Sequence, residues 1–425
     1  MAEVVILGAG VAGLSAAFHL KEAGKEAVVF EKNERFGGLC DYFTINGFLF
    51  DSGAHFGFSN NEPYSKILGL TDKITHRPDP FNYEQGRWLK HPVQNNLYPL
   101  PAQEKVEAIK SFVERPEMSE TGDYGRWLIE KFGEVIARRY PARYTKKYWT
   151  VPPENLSTAW VGNRLYRPSL EEVLYGAMSD TTPQTYYFRE MFYPRRGGYR
   201  TFIEPLAEGI DLRFGKEAVL VDTGNKYVEF SDGSREYYDY LVSSLPLPEL
   251  IAMLEDVPKE VEEAAGSLWA TSTALVSLGL KVPEVIEHLW FYIYDEDILP
   301  ARVHSPSLKA HANAPEGYSS LQFETYFSKY KPLELSPEGL TEHVVRAMEK
   351  MKLAAAKDVV VSDCRILPYA NVVFDHGMIK RRDFVLEHIK SCGIIPVGRF
   401  GEWDYLWTDQ SFLSGRKALD ICGML

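Results

Sequence analysis

Cysteine is scarce in this chain: Cys40, Cys364, Cys392 and Cys422 are the only four in 425 residues. They form no CxxC pair and no regular spacing, which argues against both a disulfide framework and a structural zinc site. The ten histidines are scattered without a ligand cluster, so no metal is expected. No apolar run reaches the roughly 18 residues that a membrane span needs. The glycine-broken N-terminal run also lacks a basic leader, so it does not read as a signal peptide, and a cytoplasmic protein without membrane association is expected. Positive charge is in deficit: the formal net charge is −12. That balance disfavours nucleic acid as a partner and requires any anionic substrate to find a local basic pocket. Internal repeats and low-complexity linkers are absent too, which points to interleaved domains.

What is present fits a globular chain of two or three domains, with 45% hydrophobic and 25% charged residues. The short apolar strand Val4 to Leu7 runs into Gly8, Gly10 and Gly13 in GxGxxG spacing. A helical pattern and a second strand follow, and that strand ends at Glu31. In such a βαβ unit the glycines let a pyrophosphate sit on the helix N-terminus, and the acid accepts from a ribose hydroxyl. A glycine-bearing tight turn in an unrelated α/β domain is the alternative. Further on, KVEAIKSFVE, DYGRWLIEKFGEVIARRY and SLEEVLYGAM read as helices between proline breaks. From about Ile210 alternating runs separated by TGN and SDG turns read as strands, as do STALVSLGLKV and WFYIYDEDILPARVH, and SGRKALDICGM reads as a closing helix.

NAD and FAD share the first fingerprint, and the continuation EKNERFGGLCDYFTINGFLFDSGAHFGF chooses between them. Gly37 and Gly38 allow backbone amides to approach a diphosphate just after the ribose acid. Here the chain resembles the FAD-binding superfamily that includes amine oxidases, protoporphyrinogen oxidase and UDP-galactopyranose mutase. Leu39 follows the glycine pair, as in the mutases, where amine oxidases carry Arg. The segments HPVQNNLYPLP, YWTVPPENLSTAWVGNRL, FDHG and GRFGEWDYLWTDQSF then resemble the eukaryotic-type UDP-galactopyranose mutase pattern in the same order, so the likeness runs from Val4 to about Leu413.

This resemblance implies an α/β fold: a Rossmann-like FAD-binding domain with an inserted helical domain and a second, β-sheet substrate domain. The implied boundaries are 1–80, 196–246 and 366–425 for FAD binding, 81–195 for the mainly helical insertion and 247–365 for the substrate sheet. It implies non-covalent FAD, active when reduced, whose N5 attacks the anomeric carbon of a UDP-sugar and displaces UDP while the ring opens and recloses. NAD(P)H is a candidate reductant. An oxidase or desaturase of the amine oxidase and protoporphyrinogen oxidase type is the alternative.

Residue by residue, the resemblance implies that Arg164 and Arg302 clamp the diphosphate, with Tyr292 and Tyr405 donating to phosphate oxygens. Gln94 and Trp149 belong to the uridine end, and the loop of His55 faces the flavin. Gly8, Gly10, Gly13, Glu31, Gly38, Leu39, Val219, Arg399, Asp409 and Ser411 make up the expected FAD set, with a helix beginning near Ser411 aimed at the isoalloxazine. Arg195 and Arg196, before Gly197 and Gly198, are either flavin-side or surface charge. Three positions depart from the pattern: His91 and Met378 stand where tyrosines are usual, and Phe188 stands near the place of a sugar-contacting Asn. UDP-sugar is therefore a firmer expectation than galactose, because losing a sugar-facing amide can reverse substrate preference.

Overall fold

A computed structural model describes residues 2–119, 121–186 and 188–421, so Cys422 lies outside the described residues. The strand Ala2–Leu7 lies at the centre of the first sheet, parallel to both Ala27–Phe30 and Arg235–Ser243. Asp211–Arg213 extends this sheet on one side, Ile394–Pro396 pairs beside Arg235–Ser243, and the antiparallel meander Ala218–Asp222, Tyr227–Phe230 completes it. Three separate stretches of chain thus build one sheet, as interleaving predicts. Val4, Val5 and Ile6 are wholly buried, the pattern of a parallel strand covered on both faces.

The helix Val11–Glu22 follows the central strand and packs along the closing helix Thr408–Ile421. Gly415 makes this approach possible, since a Cβ there would lie 2.4 Å from the Ala12 carbonyl oxygen. The Ser15 hydroxyl fastens the pair by donating to the Phe412 carbonyl at 2.6 Å.

The second sheet runs in the order Val359–Val372, Ala270–Leu280, Ser319–Phe327, Arg302–His304, Trp290–Ile293, Phe81–Glu84, Arg87–Lys90. The expected boundary between 365 and 366 falls inside the long strand Val359–Val372. The hairpin Phe81–Lys90 joins this sheet through parallel pairing with Trp290–Ile293, although its sequence position groups it with the helical insertion. The helices of that insertion are Ala102–Val113, Tyr124–Arg139, Pro141–Tyr148 and Leu170–Met178. Pro141–Tyr148 is not evident in the sequence: it is only eight residues long and starts directly on a proline, which is well placed at a helix N-terminus but reads as a break. Among the described residues, no helix is long and apolar enough to cross a membrane.

One buried ion pair ties the strand Phe48–Asp51 to the short helix Pro306–Lys309. Lys309 Nζ donates to Asp51 Oδ2 at 2.8 Å, and both side chains are fully inaccessible. Asp51 also accepts from the Tyr193 hydroxyl at 2.7 Å and the Tyr199 backbone at 2.9 Å, while its own carbonyl receives the Gln322 amide of the second sheet at 3.0 Å. Burial lowers the Lys309 pKa, and Asp51 opposes that shift. Removing one partner leaves the other charge uncompensated, so Lys309→Met should cost about 3–5 kcal/mol of unfolding free energy in urea titrations. The Asp51→Asn, Lys309→Met double variant should lose clearly less than the sum of the two single variants.

Candidate functional site

The glycine turn is shaped as a cradle. A Cβ on Gly13 would stand 1.9 Å from the Gly8 carbonyl oxygen, and Gly8 itself has φ +93°. Gly10 has nothing within 4 Å of a notional Cβ and supplies no side-chain cap to the helix behind it. The first-turn amides of Val11–Glu22 therefore face open space, which suits a pyrophosphate. Gly38, at φ +55°, brings the second glycine pair against this turn, with its notional Cβ 3.3 Å from the Gly10 Cα. Leu39 sits in the short turn Gly38–Cys40 beside it. Glu31 accepts from the Ala9 amide at 2.9 Å and from Asn33, so its carboxylate is held at the edge of the cradle. Val219 lies at a bulge between Ala218 and Leu220, with its side chain exposed. These residues fit an FAD adenylate half.

A connected run of aromatic and charged side chains crosses the cleft. Arg164 Nη1 and Nη2 donate to the Trp160 and Tyr405 carbonyls, each at 2.8 Å. Its guanidinium lies 4.7 Å from the Tyr405 ring centre and 4.9 Å from that of Trp407. Arg399 also sits over the Tyr405 ring, at 4.8 Å. The Tyr405 hydroxyl hydrogen-bonds that of Tyr148 at 2.9 Å, and the Tyr148 ring packs 4.6 Å from Tyr326. Tyr326 donates to Glu324 Oε2 at 2.6 Å, the oxygen that also accepts from Arg302 Nε at 2.8 Å and Nη2 at 2.7 Å. Burial alone would lower the Arg302 pKa, but Glu324 and the surrounding tyrosines outweigh it and hold the guanidinium charged.

Local sequence explains the placement. Arg302 and Glu324 are direct cross-strand partners, and Tyr292 pairs with Arg302 from the other side. Tyr144 and Tyr148, one helical turn apart on Pro141–Tyr148, face this sheet. Lys147, on the same helix, donates to the carbonyls of Ile293, Asp295 and Ile298 at 2.7–2.9 Å. It thereby anchors the connection between the strands that carry Tyr292 and Arg302. Glu324 Oε1 also accepts the Ala54 amide at 3.0 Å, so the turn before His55 is tied to the same carboxylate.

Other expected site residues occupy the rim and the support. Gln94 donates to the Tyr166 carbonyl at 2.9 Å. Trp149 is 2% exposed and packs 5.3 Å from the Tyr405 ring, so it supports that ring from behind. His91 stacks 4.8 Å from Tyr292. The closing helix starts at Thr408, three residues before Ser411, and Asp409 in its first turn accepts from Ser59 at 3.1 Å. Phe188 packs against Phe58 and Trp407. Met378 is buried in the core, away from the cleft surface. Arg195 and Arg196 are exposed, and Arg195 pairs with Asp72. A separate depression of about 410 Å³, lined in part by Arg139, Arg143, Glu84 and Glu104, is occupied by its own ion pairs.

Sequence reasoning missed Tyr144, Tyr148, Glu324 and Lys309. A charged residue inside the wholly buried strand Ser319–Phe327 was the available signal for Glu324, because a buried carboxylate demands partners.

Comparisons with known proteins agree with this geometry. The family described as flavin containing amine oxidoreductase matches residues 11–376. A crystal structure of reduced UDP-galactopyranose mutase superposes with a TM-score of 0.93 at 27% identity, covering 99% of this chain and 95% of that one. A protein from Exiguobacterium sp. assigned as a protoporphyrinogen oxidase shares the fold, with a TM-score of 0.76 at 18% identity over 99% of this chain and 98% of that one. All-trans-retinol 13,14-reductase of Rattus norvegicus is 41% identical over 380 residues, 74% of this chain and 60% of the relative. The chain spans less than two thirds of the length of the curated relatives it matches. Both the family and the mutase are flavoproteins, and the chain binds FAD.

The site is also a place of suppressed histidine charge. Burial lowers the pKa of His55 to about 4 and that of His91 to about 3, and it drives fully buried His304 well below its ordinary value. Neither ring nitrogen of His304 has a partner, nor does Nδ1 of His55. An unfolded histidine titrates near 6.5, so below that pH the unfolded chain binds protons that the folded chain refuses. Stability should be fully present above about pH 6.5 and fall as the pH drops toward the folded values. The urea midpoint should therefore be lower near pH 5 than near pH 7.5, and His91→Phe should shrink that difference; an unchanged difference would remove His91 from the account.

Proposed function

Because the chain belongs to the flavin containing amine oxidoreductase family, we propose that it is a flavin-dependent isomerase of the UDP-galactopyranose mutase type, interconverting the six- and five-membered rings of a UDP-sugar. The observation that carries this reading is the linked pair of guanidinium groups: Arg302 joins Tyr326 through Glu324, Tyr326 packs on Tyr148, Tyr148 meets the Tyr405 hydroxyl, and Arg164 donates to the Tyr405 carbonyl. Such a pair suits a diphosphate, whose oxygens accept charge-assisted, often bidentate hydrogen bonds. The overall similarity to the reduced mutase supports the same reading.

When bound in its reduced form, the flavin supplies a nucleophilic N5 for the anomeric carbon. The chain's own residues then have distinct tasks. Arg164 and Arg302 stabilise the negative charge that grows on the departing diphosphate. In this reading Tyr292 donates to its oxygens, and Tyr405 does so by turning its hydroxyl away from that of Tyr148, which itself donates to Asn371. Glu324 orients Arg302 while fixing the Ala54 amide next to His55. In this reading Arg399 and the first-turn amides of Thr408–Ile421 contribute positive potential on the flavin side, with Ser411 in that turn and the Asp409 carboxylate held by Ser59. The surrounding aromatic rings exclude water from the reacting centre.

A redox reaction on an apolar substrate is the second reading, supported by the similarity to the rat retinol reductase. Arg164, which has no carboxylate partner among the described residues, would face an apolar substrate without an anion to offset its desolvation, which favours the first reading.

With dithionite-reduced protein, UDP-galactofuranose should be converted to UDP-galactopyranose, as followed by product chromatography. Arg164→Ala and Arg302→Ala should each lower turnover by about 100- to 1000-fold, the usual effect of removing a donor to developing charge. Oxygen uptake with an apolar substrate, together with no ring interconversion, would transfer the assignment to the second reading.

A further inference from the structure

The second sheet ends in an open strand. Val359–Val372 is outermost on its side and pairs with Ala270–Leu280, and among the described residues no backbone hydrogen bond reaches its outer edge. The pairing shifts register between Thr271 and Thr273 and again between Gly279 and Leu280, so the regular stretch of the edge runs from Val361 to Leu367, with Cys364 at its centre. Bonds at both ends of the inner strand fix which backbone groups face out. The Val373 amide donates to the Trp269 carbonyl at 3.2 Å, and the Lys281 amide donates to the Asp358 carbonyl at 2.8 Å. Odd-numbered residues of Ala270–Leu280 therefore turn their amides and carbonyls toward this edge, where Leu275 and Ser277 lie opposite Arg365 and Asp363. By alternation, the amides and carbonyls of Ser362, Cys364 and Ile366 point outward. Side chains are available too: Ile366 is 50% and Val360 45% exposed. Pro368 and the two register shifts blunt the ends of the strand, but the stretch between them is an open template for another strand.

We propose that this edge pairs antiparallel with the same edge of a second copy of the chain, about a two-fold axis at Cys364, so that the second sheets of two copies become one. The inference is independent of the UDP-sugar reading. A second copy fits because the stretch is complementary to itself. Registers that match outward-facing groups with outward-facing groups differ by steps of two residues. The register centred on Cys364 uses the whole regular stretch and sets Asp363 of each copy directly opposite Arg365 of the other, in the non-hydrogen-bonded position where side chains come closest. One step either way sets Asp363 against Asp363, or Arg365 against Arg365, and like charges directly opposite are destabilising. Within one copy Arg365 already pairs with Asp363 at 2.9 Å and rests on the Phe43 ring at 3.4 Å, so both charges are held on one face of the strand. The cross-copy contact then closes a cluster of two carboxylates and two guanidinium groups. On the other face Ile366 comes opposite Ser362 and beside Cys364, which removes its exposed surface from water. The charge pattern and the placing of the register shifts thus select the same centre.

The test is sedimentation velocity on the FAD-loaded full chain over a dilution series, with flavin absorbance per chain as the measure of intact folding. The wild-type protein should sediment as a dimer that dissociates on dilution. Arg365→Asp, which sets acid against acid across the axis, should raise the dimer Kd by roughly tenfold or more. Ser362→Pro should do the same without changing any charge, because it removes an outward amide that the chain's own ladder does not use. The double variant Asp363→Arg, Arg365→Asp restores opposite charges in the same register and should return the Kd to within about threefold of wild type. All three variants should keep the wild-type flavin content. A wild-type protein that stays monomeric overturns the proposal, and so does a dimer that Arg365→Asp and Ser362→Pro leave intact. A charge-swapped double variant as weak as Arg365→Asp overturns it as well, since the register would then be wrong.

Discussion

The two oxygens of Glu324 tie a strand of the second sheet to a turn outside it. One oxygen takes the Ala54 amide from the turn that leads into His55; the other takes Arg302 and the Tyr326 hydroxyl. A carboxylate that is 1% exposed in a packed interior is costly unless its lone pairs are met, and here each oxygen is. The consequence is geometric: the cofactor-side turn and the guanidinium of the second sheet share one acceptor, so neither shifts without disturbing the other. Asp51, three residues before Ala54, acts in the same way: its carboxylate pairs with Lys309 and its carbonyl takes the Gln322 amide of the second sheet.

The aromatic side chains around this carboxylate convert its rigidity into a surface. Tyr405 lies within 5 Å of two guanidinium groups, a contact worth more when the cation is partly desolvated. Trp149 and Trp160 back that ring from the core, so the segment from Trp149 to Arg164 spans from support to cleft within sixteen residues. Its second residue, Thr150, has φ +65°, an uncommon conformation for a β-branched side chain. The Thr150 hydroxyl is held by Ser328 at 2.7 Å, just beyond the strand that carries Glu324. A strained backbone residue persists when its surroundings over-determine it, and here those surroundings are the site's own scaffold.

The dinucleotide half was the most legible part of the chain because its constraints are local. Gly8, Gly10 and Gly13 lie within six residues, and Glu31 ends the next strand, so spacing alone carries the geometry. The meander around residues 218–243 was legible for the same reason, through its turn residues and alternation. The hairpin Phe81–Lys90 was not, because its membership in the second sheet depends on pairing with a strand some 200 residues later. Tyr148 escaped because nothing in its immediate sequence distinguishes it from a core residue, and Glu324, a lone acid in a buried strand, because its partners Arg302 and Ala54 lie far away in sequence. The resemblance assigned Trp149 to the uridine end, while the residue type fits a core position equally well; it is buried against Trp160 and Tyr405.

The cleft that results is divided by chemistry. On one side lie the guanidinium groups of Arg164, Arg302 and Arg399 with tyrosine hydroxyls; on the other Phe58, Phe188 and Trp407 pack against one another. A chain with a net charge of −12 gains nothing from its overall field when it attracts an anion, so the positive groups must be concentrated where the anion binds. They are concentrated, and they are restrained: Arg302 is matched by Glu324, while Arg164 is held by backbone carbonyls and ring faces rather than by a carboxylate. Arg164 therefore keeps an uncompensated charge for a ligand, and Arg302 keeps a fixed orientation. In the proposed isomerase, that division separates attraction from alignment, the two things that a leaving diphosphate requires.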